Sequence, residues 1–245
     1  MKYKNYKAYD DNDFFNKYIA KRKKGNSPNE TIEKPIIDEL IQSVEGKVIL
    51  DLGCGDGKYG KELLQKGAQF YHGIEGSSNM YQLALKNLPK ENTTVEHQDI
   101  EQHNYAEAKY DLVLSRLVFH YIENLESLFN QIHKSLKLGG ELIFSIEHPV
   151  ITSCYKAYND KSIKKRQHWI VDDYFKSGER VNIWIEKEVI KFHKSLEEYF
   201  QIIKNTNFEL LDLRESKPQK KHFKSEEDYQ RRMRVPLFLI LKLKK

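Results

Sequence analysis

VILDLGCGDGKYG, residues 48–60, leads through three apolar residues to Asp51 and then sets glycines at 53, 55, 57 and 60. A short apolar run that ends in glycines and passes into a helical pattern reads as a buried strand opening on a nucleotide-type cofactor loop. Glycine lets the backbone turn sharply and come close to a ligand, and the helix N-terminus that follows presents free N–H groups. Asp51 narrows the reading. A carboxylate at the end of a buried strand is costly without partners, and amine groups of a ligand have the right charge to be those partners.

Working outward, strands are predicted at 47–52, 70–74 (ending at Glu75), 93–98 (ending at Asp99), 110–115 and 141–146. Helices are predicted at 29–44, 58–65, 77–88 and 125–136, the last closed by Gly139-Gly140. Short connections between alternating elements imply an α/β, doubly wound, Rossmann-like sheet, in which ligands sit at the C-terminal strand ends. Those ends carry Asp51, Glu75, Asp99, Ser115 and Glu147, so five strands deliver five polar groups to one rim. After Pro149 the pattern breaks until a helix at 195–203 and strands at 209–213 and 237–243 bring the count to seven. The chain thus reads as one domain, 1–245. It comprises an N-terminal helical lid (1–45), a cofactor core (46–149), a substrate-roof insertion (150–192) and a C-terminal helix with strands (193–245).

The charge, +5 with 31% charged residues, is mildly basic, and basic runs at 21–24, 161–166, 217–224 and 231–234 raise nucleic acid as a partner. A Lys-for-Arg bias with many Asn and few Ala reads instead as compositional drift, so nucleic acid is not expected. No window approaches 18 uncharged apolar residues, which excludes a transmembrane helix. Residues 1–15 lack an apolar signal region, and the two cysteines, Cys54 and Cys154, make no disulfide framework; the cytoplasm is the expected compartment.

Gly55, Gly57 and Gly60 also fit the dinucleotide pattern, with Glu75 at about the expected spacing. Asp51 and Leu52 stand between the apolar run and the glycines, and Asp51 and Asp56 would repel a pyrophosphate, which disfavours a nicotinamide oxidoreductase. A cofactor with a cationic end is favoured.

The D-L-G-C-G-x-G core resembles the first motif of class I S-adenosylmethionine-dependent methyltransferases, and the run from Gly73 to Met80 resembles their second. Gln98-Asp99-Ile100 resembles the third, YDLVLSRLVFH (110–120) the fourth, and Leu138-Gly139-Gly140 the run into strand five. The resemblance implies a seven-stranded sheet with its last strand antiparallel, and S-adenosylmethionine as cofactor with S-adenosylhomocysteine as product. It also implies roles: Asp51 for the methionine amine, Gly53 and Gly55 for close approach, Glu75 for the ribose hydroxyls, Gly76 and Met80 beside adenine, Asp99 for the adenine amine with Ile100, and Ser115 facing the methyl group. Tyr18 and Arg22 can reach the ligand from the lid. A closer resemblance is to the small-molecule branch known as methyltransferase type 11 or 12, carried by Ser145-Ile-Glu-His-Pro149, the aromatic stretch 169–174 and His193.

The expected reaction is methyl transfer to an O, N or C atom of a small molecule, with an RNA or protein methyltransferase as the alternative and a non-catalytic cofactor-binding protein as a further one. Proton removal from the acceptor points to His120, Glu147, His148 and His193 as bases. Arg116, Trp169, Tyr174 and Trp184 are expected to contact substrate, and no metal is expected. A monomer or homodimer is expected.

Overall fold

In the computed structural model, residues 2–23, 27–153 and 169–245 are described. Strand β1 (Lys2–Lys4), a 3-10 turn (Asn5–Asp10) and helix α1 (Asn12–Lys23) precede a π-turn (Asn29–Glu33) and helix α2 (Lys34–Ile41). The core follows as β2 (Val48–Leu52), α3 (Lys58–Gln65), β3 (Phe70–Glu75), α4 (Ser78–Asn87), β4 (Thr93–His97), β5 (Tyr110–Arg116), α5 (Leu125–Ser135) and β6 (Leu136–Glu147). The remainder is α6 (Pro149–Thr152), β7 (Gly178–Trp184), β8 (Lys187–His193), α7 (Leu196–Asn205), β9 (Glu209–Arg214), α8 (Glu226–Arg232) and β10 (Phe238–Lys244).

Seven strands form one sheet in the order β4-β3-β2-β5-β6-β10-β9. All neighbours are parallel except β10, which runs antiparallel to both β6 and β9. The expected architecture therefore holds. The central strands β2 and β5 are apolar on both faces because helices cover both, as a parallel sheet requires. Leu50, Leu52, Val113 and Phe144 pack one face; Ile49, Leu112, Leu114 and Ile143 pack the other.

Three local expectations are corrected. Gly139-Gly140 does not close the preceding helix, which stops at Ser135; both glycines lie inside the long strand β6. Gly139 turns with φ +77°, and a Cβ on Gly140 would come within 2.9 Å of the Lys137 carbonyl oxygen. The N-terminus is not wholly helical, because β1 pairs in parallel with β8 and makes a three-stranded sheet with the hairpin β7–β8. The N-terminal segment and the inserted hairpin are thus one layer. The helix predicted at 29–44 starts as a π-turn, because Pro35 has no N–H to donate to the preceding turn. Cys154, the basic run 161–166 and the neighbouring aromatics up to 168 lie outside the described residues.

Candidate active site

The strand ends meet a cavity of about 460 Å³, within the range of small-ligand sites. One half is built almost entirely from residues 51–100. Gly53 has φ +76°, and a Cβ there would lie 2.4 Å from the Val118 side chain, so only glycine fits. Gly55 also turns left-handed, at φ +61°, with open space where a side chain would stand. Glu75 closes the loop: the Gly55 N–H donates to its Oε2 at 2.8 Å and the Ser77 N–H to its Oε1 at 2.8 Å. Burial raises its pKa to about 7, against these two hydrogen bonds and with help from Asp51 and Asp10. Asp51 accepts from the Tyr71 hydroxyl at 2.6 Å, and burial raises it to about 6. Met80, Asp99 and Ile100 complete this side. Asp10 ties the N-terminal segment down, accepting from the Ser77 hydroxyl at 2.8 Å, while Tyr6 and Tyr9 line the same cavity.

The other half is drawn from distant segments. Leu117 sits at φ +59° immediately after β5, a turn that costs about 1–2 kcal/mol for a side-chain-bearing residue. On one side of it Arg116 is ion-paired with Glu33, which is wholly buried, and its guanidinium lies 4.4 Å from the Tyr59 ring centroid. Ser145 donates to the same Glu33 carboxylate at 2.7 Å. On the other side His120, Tyr121 and Glu147 face Lys191 of β8, whose ammonium reaches Glu147 Oε1 at 2.5 Å. Lys191 holds the Glu147 pKa below its ordinary value although burial opposes this. Glu147 Oε2 is buried without a hydrogen-bond partner among the described residues. The backbone N–H of Glu147 donates to His120 Nδ1 at 3.3 Å. Burial drops the His120 pKa to about 3, so its ring is neutral, with Nε2 carrying the proton.

Of the residues expected from sequence, Tyr18, Arg22, Asp51, Gly53, Gly55, Glu75, Gly76, Met80, Asp99, Ile100, Arg116, His120, Glu147 and Trp184 line this one cavity. Five others do not. Ser115 is buried and donates to the Leu52 carbonyl at 3.0 Å, holding β5 to β2. His148 caps α6, its Nδ1 accepting from Val150 N–H and its Nε2–H donating to Glu215. His193 accepts from the Thr152 hydroxyl at 2.7 Å and donates to the Tyr174 carbonyl at 2.8 Å, so neither nitrogen is free to take a proton. The Tyr174 hydroxyl accepts the Leu196 N–H at 3.1 Å, an interaction outside the cavity, and Trp169 stands outside it as well. His120 lines the cavity but, with Nδ1 engaged and Nε2 protonated, offers a donor and no basic lone pair.

Glu33, Tyr59, Tyr121, Lys191 and Arg232 line the cavity without having been expected. Two carried a signal. Glu33 falls on the apolar face of its helix with Ile36, Ile37, Leu40 and Ile41, all buried. Lys191 alternates with the buried Val189 and His193.

The cofactor side fits an adenosyl group with a cationic tail. Each Glu75 oxygen takes one backbone N–H and keeps capacity for a hydroxyl. Met80 and Ile100 offer an apolar slot, and the carboxylates Asp51 and Asp56 would attract an ammonium or sulfonium and repel a pyrophosphate. The comparisons agree. The methyltransferase domain model of the type 11 family matches residues 50–144. An uncharacterised protein of Haemophilus influenzae is 33% identical over 217 residues, 85% of each chain. The S-adenosylmethionine-dependent methyltransferase of Mesorhizobium loti superposes with a TM-score of 0.79 at 25% identity, covering 89% of this chain and 98% of that one. A Listeria monocytogenes protein assigned to the same class gives a TM-score of 0.79 at 28% identity, with 87% and 96% covered. The chain belongs to the class I S-adenosylmethionine-dependent methyltransferases, of the type 11 kind, and S-adenosylmethionine is its cofactor. No helix among the described residues is long and apolar enough to cross a membrane.

Proposed function

We propose that this methyltransferase acts on a small molecule that presents a hydroxyl or amine to the Glu147 side of the cavity. The observation that carries this reading is the roof: the 3-10 turn, α1 and the β7–β8 hairpin wall the cavity with Tyr9, Tyr18, Trp184 and Lys191, the three aromatics packed edge to face. A closed wall suits a ligand of metabolite size better than a polymer. Two relatives support it in kind. The malonyl-[acyl-carrier protein] O-methyltransferase 1 of Ilyobacter polytropus is 32% identical over 122 residues. The ubiquinone biosynthesis O-methyltransferase of Hydrogenovibrio crunogenus is 28% identical over 121. This chain spans under half the length of each, 44% and 48%.

In this reading Glu75 takes the ribose hydroxyls, Met80, Gly76 and Ile100 border the adenine, and Asp99 accepts from its amine. Asp51 faces the methionine amine across the Gly53–Gly55 turn, and Arg22 with Tyr18 reaches the carboxylate end from α1. When bound, the cofactor supplies a methyl group already activated as a sulfonium. The protein then has to align the nucleophile and exclude water. Glu147, kept ionised by Lys191, accepts the hydrogen bond of the incoming hydroxyl or amine and takes its proton. His120 Nε2–H helps to hold the acceptor. The test is a screen for S-adenosylhomocysteine release over a metabolite panel. Turnover with a small hydroxyl or amine compound is expected, and turnover with RNA or protein alone would overturn the reading.

A further inference from the structure

The cavity lining carries both signs. Asp51, Asp56, Glu75 and Asp99 stand with Glu33 and Glu147 on the acidic side of the count, and Lys21, Arg22, Arg116, Lys191 and Arg232 on the basic side. Three of these cations are matched: Arg116 by Glu33, Lys191 by Glu147, and Arg22 by Glu30 at 3.1 Å. Lys21 is exposed to solvent. Arg232 differs from all four, because it is half-buried in the wall and makes no hydrogen bond or ion pair among the described residues. Asp228, one turn earlier on α8, is paired with Arg231 at 3.3 Å.

A desolvated guanidinium that shares Asp228 with Arg231 and makes no hydrogen bond to it is a standing cost, and an anion brought by a ligand offsets it. Its planar fork suits the two oxygens of a carboxylate or phosphate. Burial and then Arg231 lower the Arg232 pKa to about 10 although Asp228 raises it, and a further anionic neighbour would act in the same sense as Asp228. Location assigns this charge to the acceptor. Arg232 reaches the cavity from the segment that enters β10, whose first residue Phe238 pairs with Glu147 of β6.

We infer that the methyl acceptor carries an anionic group, a carboxylate or a phosphate, held by Arg232 while its nucleophile faces Glu147. The inference rests on the small-molecule reading above. It is tested by titrating the S-adenosylhomocysteine-loaded protein with inorganic phosphate and, separately, malonate at constant ionic strength, following heat or Trp184 fluorescence. At least one anion is expected to bind. Arg232→Gln is expected to weaken it about tenfold or more, the loss of charge-assisted hydrogen bonds, and Arg232→Lys to weaken it less. S-adenosylhomocysteine affinity stays within about twofold in both variants, which also reports folding. The stronger of the two anions identifies the group. Absence of binding to the wild type, or equal binding to Arg232→Gln, would overturn the inference and leave the methyltransferase reading standing. Failure to bind S-adenosylhomocysteine would overturn both.

Discussion

The two halves of the cavity are built by different means. The cofactor half is local: Gly55 and Glu75, and likewise Asp51 and Tyr71, are 20 positions apart in the chain. Its shape follows from backbone turns and from single residues at strand ends. The acceptor half is assembled across the chain, with Glu33 83 positions from Arg116 and 112 from Ser145, and Lys191 44 from Glu147. There each charge is set by a partner that arrives only when the fold closes. A local motif can stay constant while the remote partners vary, so one cofactor site can serve many acceptors.

The comparison can be broken at four points. The largest effect falls on the cofactor side, where Glu75→Ala removes both acceptor oxygens. Charge-assisted hydrogen bonds contribute about 1.5–3 kcal/mol each, so S-adenosylhomocysteine should bind roughly 10²–10⁴-fold more weakly by calorimetry. On the acceptor side, Glu33→Ala leaves the Arg116 charge buried alone and should cost about 3–5 kcal/mol in denaturant unfolding. A loss near zero would show that the pair adds nothing to the fold. Glu147→Gln keeps the shape but not the base. It should lower kcat by roughly 10²-fold with cofactor affinity unchanged, whereas His193→Gln should affect stability rather than chemistry.

The smallest effect is a pH dependence. Glu75 is raised from 4.5 to about 7 by burial, so the empty folded protein keeps a proton that the unfolded chain has lost. Stability from this group is therefore present below about 4.5 and lost as pH rises to about 7. Ligand hydroxyls donate to the ionised form, so cofactor affinity should rise about tenfold from roughly pH 6 to pH 8. Asp51, raised to about 6, contributes at the lower end. Glu75→Gln should remove the part of the slope centred near 7, and an unchanged slope would assign the titration elsewhere.

The same contrast explains what was legible in the sequence. The sheet and the residues that gather at its strand ends to line the cavity were readable because apolar runs, glycines and strand-end carboxylates are local signals. The sequence pointed to His148 and His193 as bases, but it cannot show that Val150, Glu215, Thr152 and the Tyr174 carbonyl already hold their nitrogens. It named Arg116 as a substrate contact without its partner, since nothing in residues 110–120 announces Glu33. The parallel pairing of β1 with β8 joins residues more than 180 positions apart and left no mark in either segment beyond the alternation that buries Lys191.

The most direct test of the whole account is transfer of label from methyl-labelled S-adenosylmethionine into a cell extract fractionated into small molecules, RNA and protein. The account predicts label in an anionic small-molecule fraction, lost with Glu147→Gln. Label confined to RNA or protein would contradict it.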